Sequence, residues 1–183
     1  ADGALDIFHS HDRDAQLLYP SEPLSEVEFV LFYANARPHP AERVDDLQGL
    51  TVGISPGYLY GNAFSESTLF NREPAPSHEA NFGKLSLGRI DLVITDRRVG
   101  QHVIKAMGLE GNVSQAPFVV SRQQQFLAVR RGAGMDLLVQ RFAAELKRFK
   151  QEPAYAALSA KYGEIQANTA SEHTVEQQES SAP

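Results

Sequence analysis

Asp96 is the residue whose type and place promise most chemistry. It closes the run Gly88-Arg89-Ile90-Asp91-Leu92-Val93-Ile94-Thr95-Asp96, which reads as a helix end, a turn, a short buried strand and then a carboxylate. Ile90, Leu92, Val93, Ile94 and Thr95 are apolar or β-branched, the composition of a parallel strand covered on both faces. A carboxylate at the carboxyl end of such a strand stands where open α/β sheets hold their ligands. The same residue is also a favoured N-cap for a helix over Arg97–Met107, and one Asp can serve both roles. Tyr58 and Tyr60 are placed either to stack on a ligand or to pack their own short element.

Other candidate chemistry is weaker. His9 and His11 are two apart and would share a strand face. With Asp6 or Asp12 they have the donor types for zinc or copper, but no further ligand pair lies elsewhere at diagnostic spacing. Ser10, His9 and Asp6 are of triad type, yet they crowd together in sequence and no G-x-S-x-G elbow is present. Asp96 has no evident acidic partner for a two-carboxylate hydrolase. From these groupings no catalytic residue, metal or cofactor is expected.

The elements that must position these residues follow from patterning. Short strands are expected over Ala15–Tyr19, Phe29–Tyr33, Thr51–Ser55 and Leu69–Asn71, then at Val113, over Pro117–Val120 and over Gln125–Val129. Helices are expected over Tyr58–Glu66, His78–Leu87 and Arg97–Met107, so residues 50–120 alternate strand and helix as a parallel α/β sheet does. Pro56-Gly57 breaks the strand before the first of these helices, which would aim its free N–H groups at the edge that carries Asp96. Met135–Lys150 is amphipathic, with Leu138, Phe142, Leu146 and Phe149 on one face, and Ala154–Tyr162 follows Pro153 as a second helix. Residues 164–183 hold almost no large apolar side chains, which predicts a disordered tail.

Composition narrows the classes. The 183 residues carry a net charge of −6, which argues against nucleic acid as a partner; Arg97-Arg98 and Arg130-Arg131 read as solvated or helix-capping pairs. No apolar run reaches the roughly 20 residues that span a bilayer. Cys is absent, so no disulfide or thiolate chemistry is possible. Two strands, Phe29–Tyr33 and Gln125–Val129, enter and leave the α/β unit, either the layout of a hinge protein whose lobes close on a ligand or two strands lying in one sheet with that unit.

The order of pieces resembles the extracytoplasmic solute-binding proteins of family 3, which serve polar-amino-acid ABC transporters. The segments that carry the resemblance are Arg13 to Leu24, Asp46 to Ile54, Gly57, Leu87-Gly88-Arg89-Ile90-Asp91 with Asp96, and Lys161-Tyr162-Gly163, over roughly residues 3–163. The resemblance implies a type II periplasmic-binding fold with one complete α/β lobe and a partial second lobe joined by two hinge strands. Residues 1–34 would hold partial lobe one and the first hinge strand, 35–124 lobe two, and 125–163 the second hinge strand and helices returning to lobe one. It implies that Arg13 grips a ligand carboxylate, that Asp96 holds an ammonium, and that the turn Gly57-Tyr58-Leu59 presents N–H groups to the carboxylate, with Ser55 a further ligand-binding candidate. The family often has Ser or Thr after that Gly; here Tyr58 and Leu59 stand there. Ser10 is the best further polar contact. The implied role is periplasmic binding of an amino acid or related carboxylate for an ABC permease, with a ligand-sensing domain as the alternative. The family's lobe one begins upstream of residue 1. Without those strands, Phe29–Tyr33 is expected to present an unpaired edge.

Overall fold

The computed structural model describes residues 2–162. The predicted tail at 164–183 lies outside the described residues. Seven strands among those described form one sheet: β1 (Gly3–Phe8), β2 (Leu17–Leu18), β3 (Ser25–Ala34), β4 (Thr51–Ile54), β5 (Asn71–Pro74), β6 (Leu92–Asp96) and β7 (Val113–Arg130). Their order is β1-β7-β3-β6-β4-β5, with β2 beside β7. Strands β5, β4 and β6 are parallel, and every other pairing is antiparallel. The helices are α1 (Asn62–Glu66), α2 (His78–Ser86), α3 (Arg97–Ala106), α4 (Asp136–Phe149) and α5 (Pro153–Tyr162). The architecture is α/β, with the strand–helix alternation where the sequence puts it.

Strand alternation sorts the core into two layers. Phe29, Leu31, Leu92, Ile94 and Val52 face Tyr60, Phe64 and Phe70, which cover one side of the sheet. Val30, Phe32 and Val93 face Phe82 and Leu85 of α2 and Val103 of α3 on the other. Helix α3 lies so close that a Cβ at Gly100 would meet the Phe32 ring at 2.3 Å, so glycine is needed there. Arg72 donates to the Phe64 and Ser67 carbonyls and lays its guanidinium 4.5 Å from the Phe70 ring centroid, which closes the bottom of the first layer.

Several expectations need correction. The two strands predicted around Pro117–Val120 and Gln125–Val129 are one 18-residue strand, β7. Pro117 is accommodated because the β3–β7 register slips between Val30 and Phe32, where no ladder donor is needed from it. Phe29–Tyr33 extends to Ser25–Ala34 and is no edge: β3 pairs β7 along its length, and its second half also pairs β6 from Phe29↔Asp96 to Tyr33↔Leu92. The strand predicted at Leu69–Asn71 lies at Asn71–Pro74, on the sheet edge, where a terminal proline costs no pairing. Only Leu17 and Leu18 of Ala15–Tyr19 are paired. Leu87 caps α2 and is 70% exposed, and α4 buries Val139 and Ala143 while Leu138, on its predicted apolar face, is 55% exposed.

The opposite edge is β1. Its register shifts between Ala4 and Ile7, and Asp6 sits there at φ 59°, a conformation Asp tolerates better than most residues. Such a bulge with an exposed carboxylate blunts a free edge. No helix among the described residues is long and apolar enough to cross a membrane.

Candidate functional site

The carboxyl ends of β4 and β6 gather one group of predicted residues. Asp96 ends β6 and is 4% exposed. Its Oδ1 accepts from the backbone N–H groups of Arg98 at 3.0 Å and Val99 at 3.1 Å, so it caps α3 as the sequence allows. Arg98 Nε lies 3.5 Å from the same oxygen. The other oxygen, Oδ2, is buried with no hydrogen-bond partner among the described residues. A buried carboxylate oxygen left unpaired is costly, and a donor reaching it would recover that cost.

Ser55 follows β4 and is buried. The loop behind it is pinned by Tyr60, whose hydroxyl accepts from the Ser55 N–H at 2.8 Å and donates to the Ser55 carbonyl at 3.2 Å. Burial raises the Tyr60 hydroxyl's pKa above its usual value, so it stays protonated and can donate. Ser121 of β7 donates to the Tyr60 carbonyl at 2.8 Å and packs so closely that only glycine fits at position 61. This clamp corrects the expected helix over Tyr58–Glu66. Gly61, at φ 89°, stands as the N-cap, and α1 runs only from Asn62 to Glu66. Gly57, at φ 84°, and Tyr58 and Leu59 therefore form an exposed turn, and no helix start faces Asp96 from that loop.

The Tyr58 ring stacks on Tyr60 at 6.0 Å and meets Phe29 edge-on at 6.0 Å. Phe29 in turn packs against Phe8, ring centroids 6.1 Å apart. Phe8 ends β1, two residues before Ser10. An aromatic floor of Phe8, Phe29 and Tyr58 thus runs from the β4–β6 end toward the turn that carries the second predicted group, Ser10 and Arg13.

That turn, His11–Arg13, is a single 3-10 turn held by Asp14. His9 Nε2 lies 2.8 Å from Asp14 Oδ1, and His11 Nδ1 lies 3.1 Å from Oδ2. Asp6 takes no part in this cluster, so the triad-type grouping Ser10, His9 and Asp6 is not assembled. Partial desolvation works to raise the Asp14 pKa, but the hydrogen bonds from His11 and His9 outweigh it and hold the carboxyl below its ordinary value. Arg131 anchors the far side by donating to the carbonyls of Asp14 and Leu17. Ser10 is half-buried and Arg13 exposed. The Arg13 N–H bonds the Ser10 carbonyl at 2.9 Å, and among the described residues no hydrogen bond or ion pair joins its guanidinium to Asp96. Ser55, Tyr58 and Asp96 are thus brought to one strand edge, Gly57 and Leu59 lie on the same loop, and Ser10 and Arg13 belong to a separate turn. The larger cavity, about 550 Å³ between Leu18–Glu22 and α4, includes none of them.

His78 was missed as a site residue. It opens α2 after the Ser77 cap and reaches Ser55, Tyr58 and Thr95. A usable signal existed: a helix beginning at a histidine, in a strand–helix–strand unit whose last strand ends in Thr95-Asp96. Phe8 and Phe29 carried no signal beyond their hydrophobicity.

No family model matches the chain, and no curated protein sequence matches it significantly. Solved structures do resemble it. A histidine kinase sensor domain with similarity to periplasmic binding proteins superposes with a TM-score of 0.70 at 23% identity, over 88% of this chain and 69% of that one. Holo ArgBP from T. maritima gives 0.64 at 20% identity, over 86% and 66%. The substrate binding protein of an amino acid ABC transporter gives 0.67 at 17% identity, over 88% and 70%. The fold is therefore of the periplasmic-binding-protein kind, in agreement with the resemblance read from the sequence. The chain spans 66% of the length of the arginine-binding structure.

Proposed function

We propose that this chain contributes a binding site for a small zwitterion, an amino acid or a related carboxylate, and performs no chemical step. The observation that carries the reading is the unpaired, buried Oδ2 of Asp96 beside an aromatic floor. An ammonium group there would donate a hydrogen bond to the oxygen that the helix cap leaves over and neutralise its charge. Arg13, with a planar fork suited to carboxylates, would close on the ligand's acid group from the turn after β1. Ser10, Ser55 and the Gly57-Tyr58-Leu59 turn would line the space between. Lobe two would be residues 35–124, residues 1–34 and 125–163 would belong to lobe one and its crossings, and β3 and β7 would act as the hinge.

Delivery to an ABC permease outside the cytoplasm is the role that best suits such a site, since an amino acid ABC transporter's binding protein shares the fold. Ligand sensing is the second reading, favoured by the likeness to the histidine kinase sensor domain. The test is a thermal-shift screen of the protein with the common amino acids and small carboxylates. A ligand should raise the melting temperature in a concentration-dependent way. A flat response to every compound at millimolar concentration would overturn the reading.

A further inference from the structure

The geometry points to His78 as the residue that selects the ligand's side chain, favouring one that ends in a carbonyl or carboxylate oxygen. This inference rests on the zwitterion-binding reading above. The imidazole lies between two kinds of partner. Nδ1 is 3.3 Å from both Ser55 Oγ and Thr95 Oγ1, in the part-buried wall formed by the ends of β4 and β6. Nε2 is 3.3 Å from the hydroxyl of Tyr58, on the exposed loop.

The tautomer follows from the buried side. Ser55 is 7% and Thr95 0% exposed, and His78 is the hydrogen-bond partner that each hydroxyl finds among the described residues. Were Nδ1 protonated, neither buried hydroxyl proton would have an acceptor there, which is costly. With Nδ1 bare, its lone pair accepts from one hydroxyl, which leaves the pair of hydroxyls better satisfied than a protonated Nδ1 would. The ring proton then sits on Nε2, aimed at Tyr58. Tyr58 is the residue that can yield, because it is 36% exposed on its turn while Tyr60 holds the loop's base. A ligand held by its ammonium at Asp96, whose ladder partner Phe29 packs against the Tyr58 ring, can extend its side chain toward Nε2–H and replace the Tyr58 hydroxyl as acceptor. A guanidinium or ammonium at the side-chain end would meet a donor and be disfavoured.

The test compares four probes on the protein, its His78→Ala variant and its His78→Gln variant by calorimetric titration: L-glutamine, L-glutamate, L-norleucine and L-arginine. His78→Ala should lose about tenfold or more for glutamine and glutamate and change norleucine by less than about threefold. His78→Gln, which restores an N–H donor, should recover most of that loss. Equal losses for all four probes, unchanged affinities, or a native preference for arginine would overturn the inference while leaving the binding reading intact. Failure of the unsubstituted protein to bind any of the four would overturn the inference, and a flat thermal-shift screen besides would overturn the binding reading as well.

Discussion

The two ends of the long strands β3 and β7 are built to different standards. At the β4–β6 end the core closes on itself: Phe29, Leu31, Phe32, Phe64, Phe82, Leu92 and Ile94 are at most 1% exposed, and helices or loops cover both sheet faces. At the β1 end, Leu5, Leu137, Leu138 and Leu158 are 47–61% exposed, and α4 buries little beyond Val139 and Ala143. The polar contacts differ in the same way. Near Asp96 they are buried and backbone-directed, whereas on α4 they are exposed pairs such as Arg148 with Glu145. Stability should therefore reside in the first region, while the second contributes through what it presents. A candidate site that draws on both has one rigid wall and one lightly held wall.

That contrast can be broken most directly in the core. Phe32→Ala should cost about 3–5 kcal/mol in urea unfolding, because the ring is sandwiched between α2 and α3. Leu137→Ser should change stability by less than about 0.5 kcal/mol. Comparable effects from the two would dissolve the distinction.

The polar contacts sharpen it at smaller scale. Tyr60→Phe leaves the buried Ser55 N–H without an acceptor and should cost about 1–3 kcal/mol. Arg148→Ala, at an exposed pair, should stay within about 0.5 kcal/mol. If unfolding curves rank these two the other way, the base of the Tyr58 loop is not the fixed wall described here.

The smallest effect concerns the lightly held turn. The folded-state pKa of Asp14 is depressed, so its contribution is present above the unfolded-state value and is lost as pH falls through the folded one. Amide signals of residues 10–16 followed by NMR should titrate with a midpoint below 3.8, the ordinary value, and Asp14→Asn should abolish that transition. A midpoint above 3.8 would mean that His9 and His11 do not hold the carboxylate.

Much of the rigid wall was legible because it depends on local signals. The Ile90–Thr95 run, the Asp96 cap, the α2 and α3 spans and the strand at Thr51 all follow from patterning and turn chemistry. What was not legible depends on partners distant in sequence. β7 is continuous across Pro117 only because β3 offers a slipped register there. The helix expected at Tyr58 is short because a hydroxyl two residues on bonds back to Ser55. Leu138 and Leu87 are exposed because helical periodicity predicts an apolar stripe and cannot say that something covers it. For the site, the sequence marked Asp96, Ser55 and Tyr58; His78 joins them through three contacts spanning 17–23 residues, and its signal was only its place at the start of a helix in the unit that ends in Thr95-Asp96.

The most direct measurement is the affinity of Asp96→Asn for whichever amino acid raises the melting temperature of the unsubstituted protein. Asn caps helices as well as Asp does, so the fold should keep its stability. Loss of the charge should weaken binding by more than about a hundredfold, as should Arg13→Ala in the turn after β1. Binding by Asp96→Asn within about threefold of the unsubstituted protein would contradict the account, because the buried Oδ2 would then hold no part of the ligand.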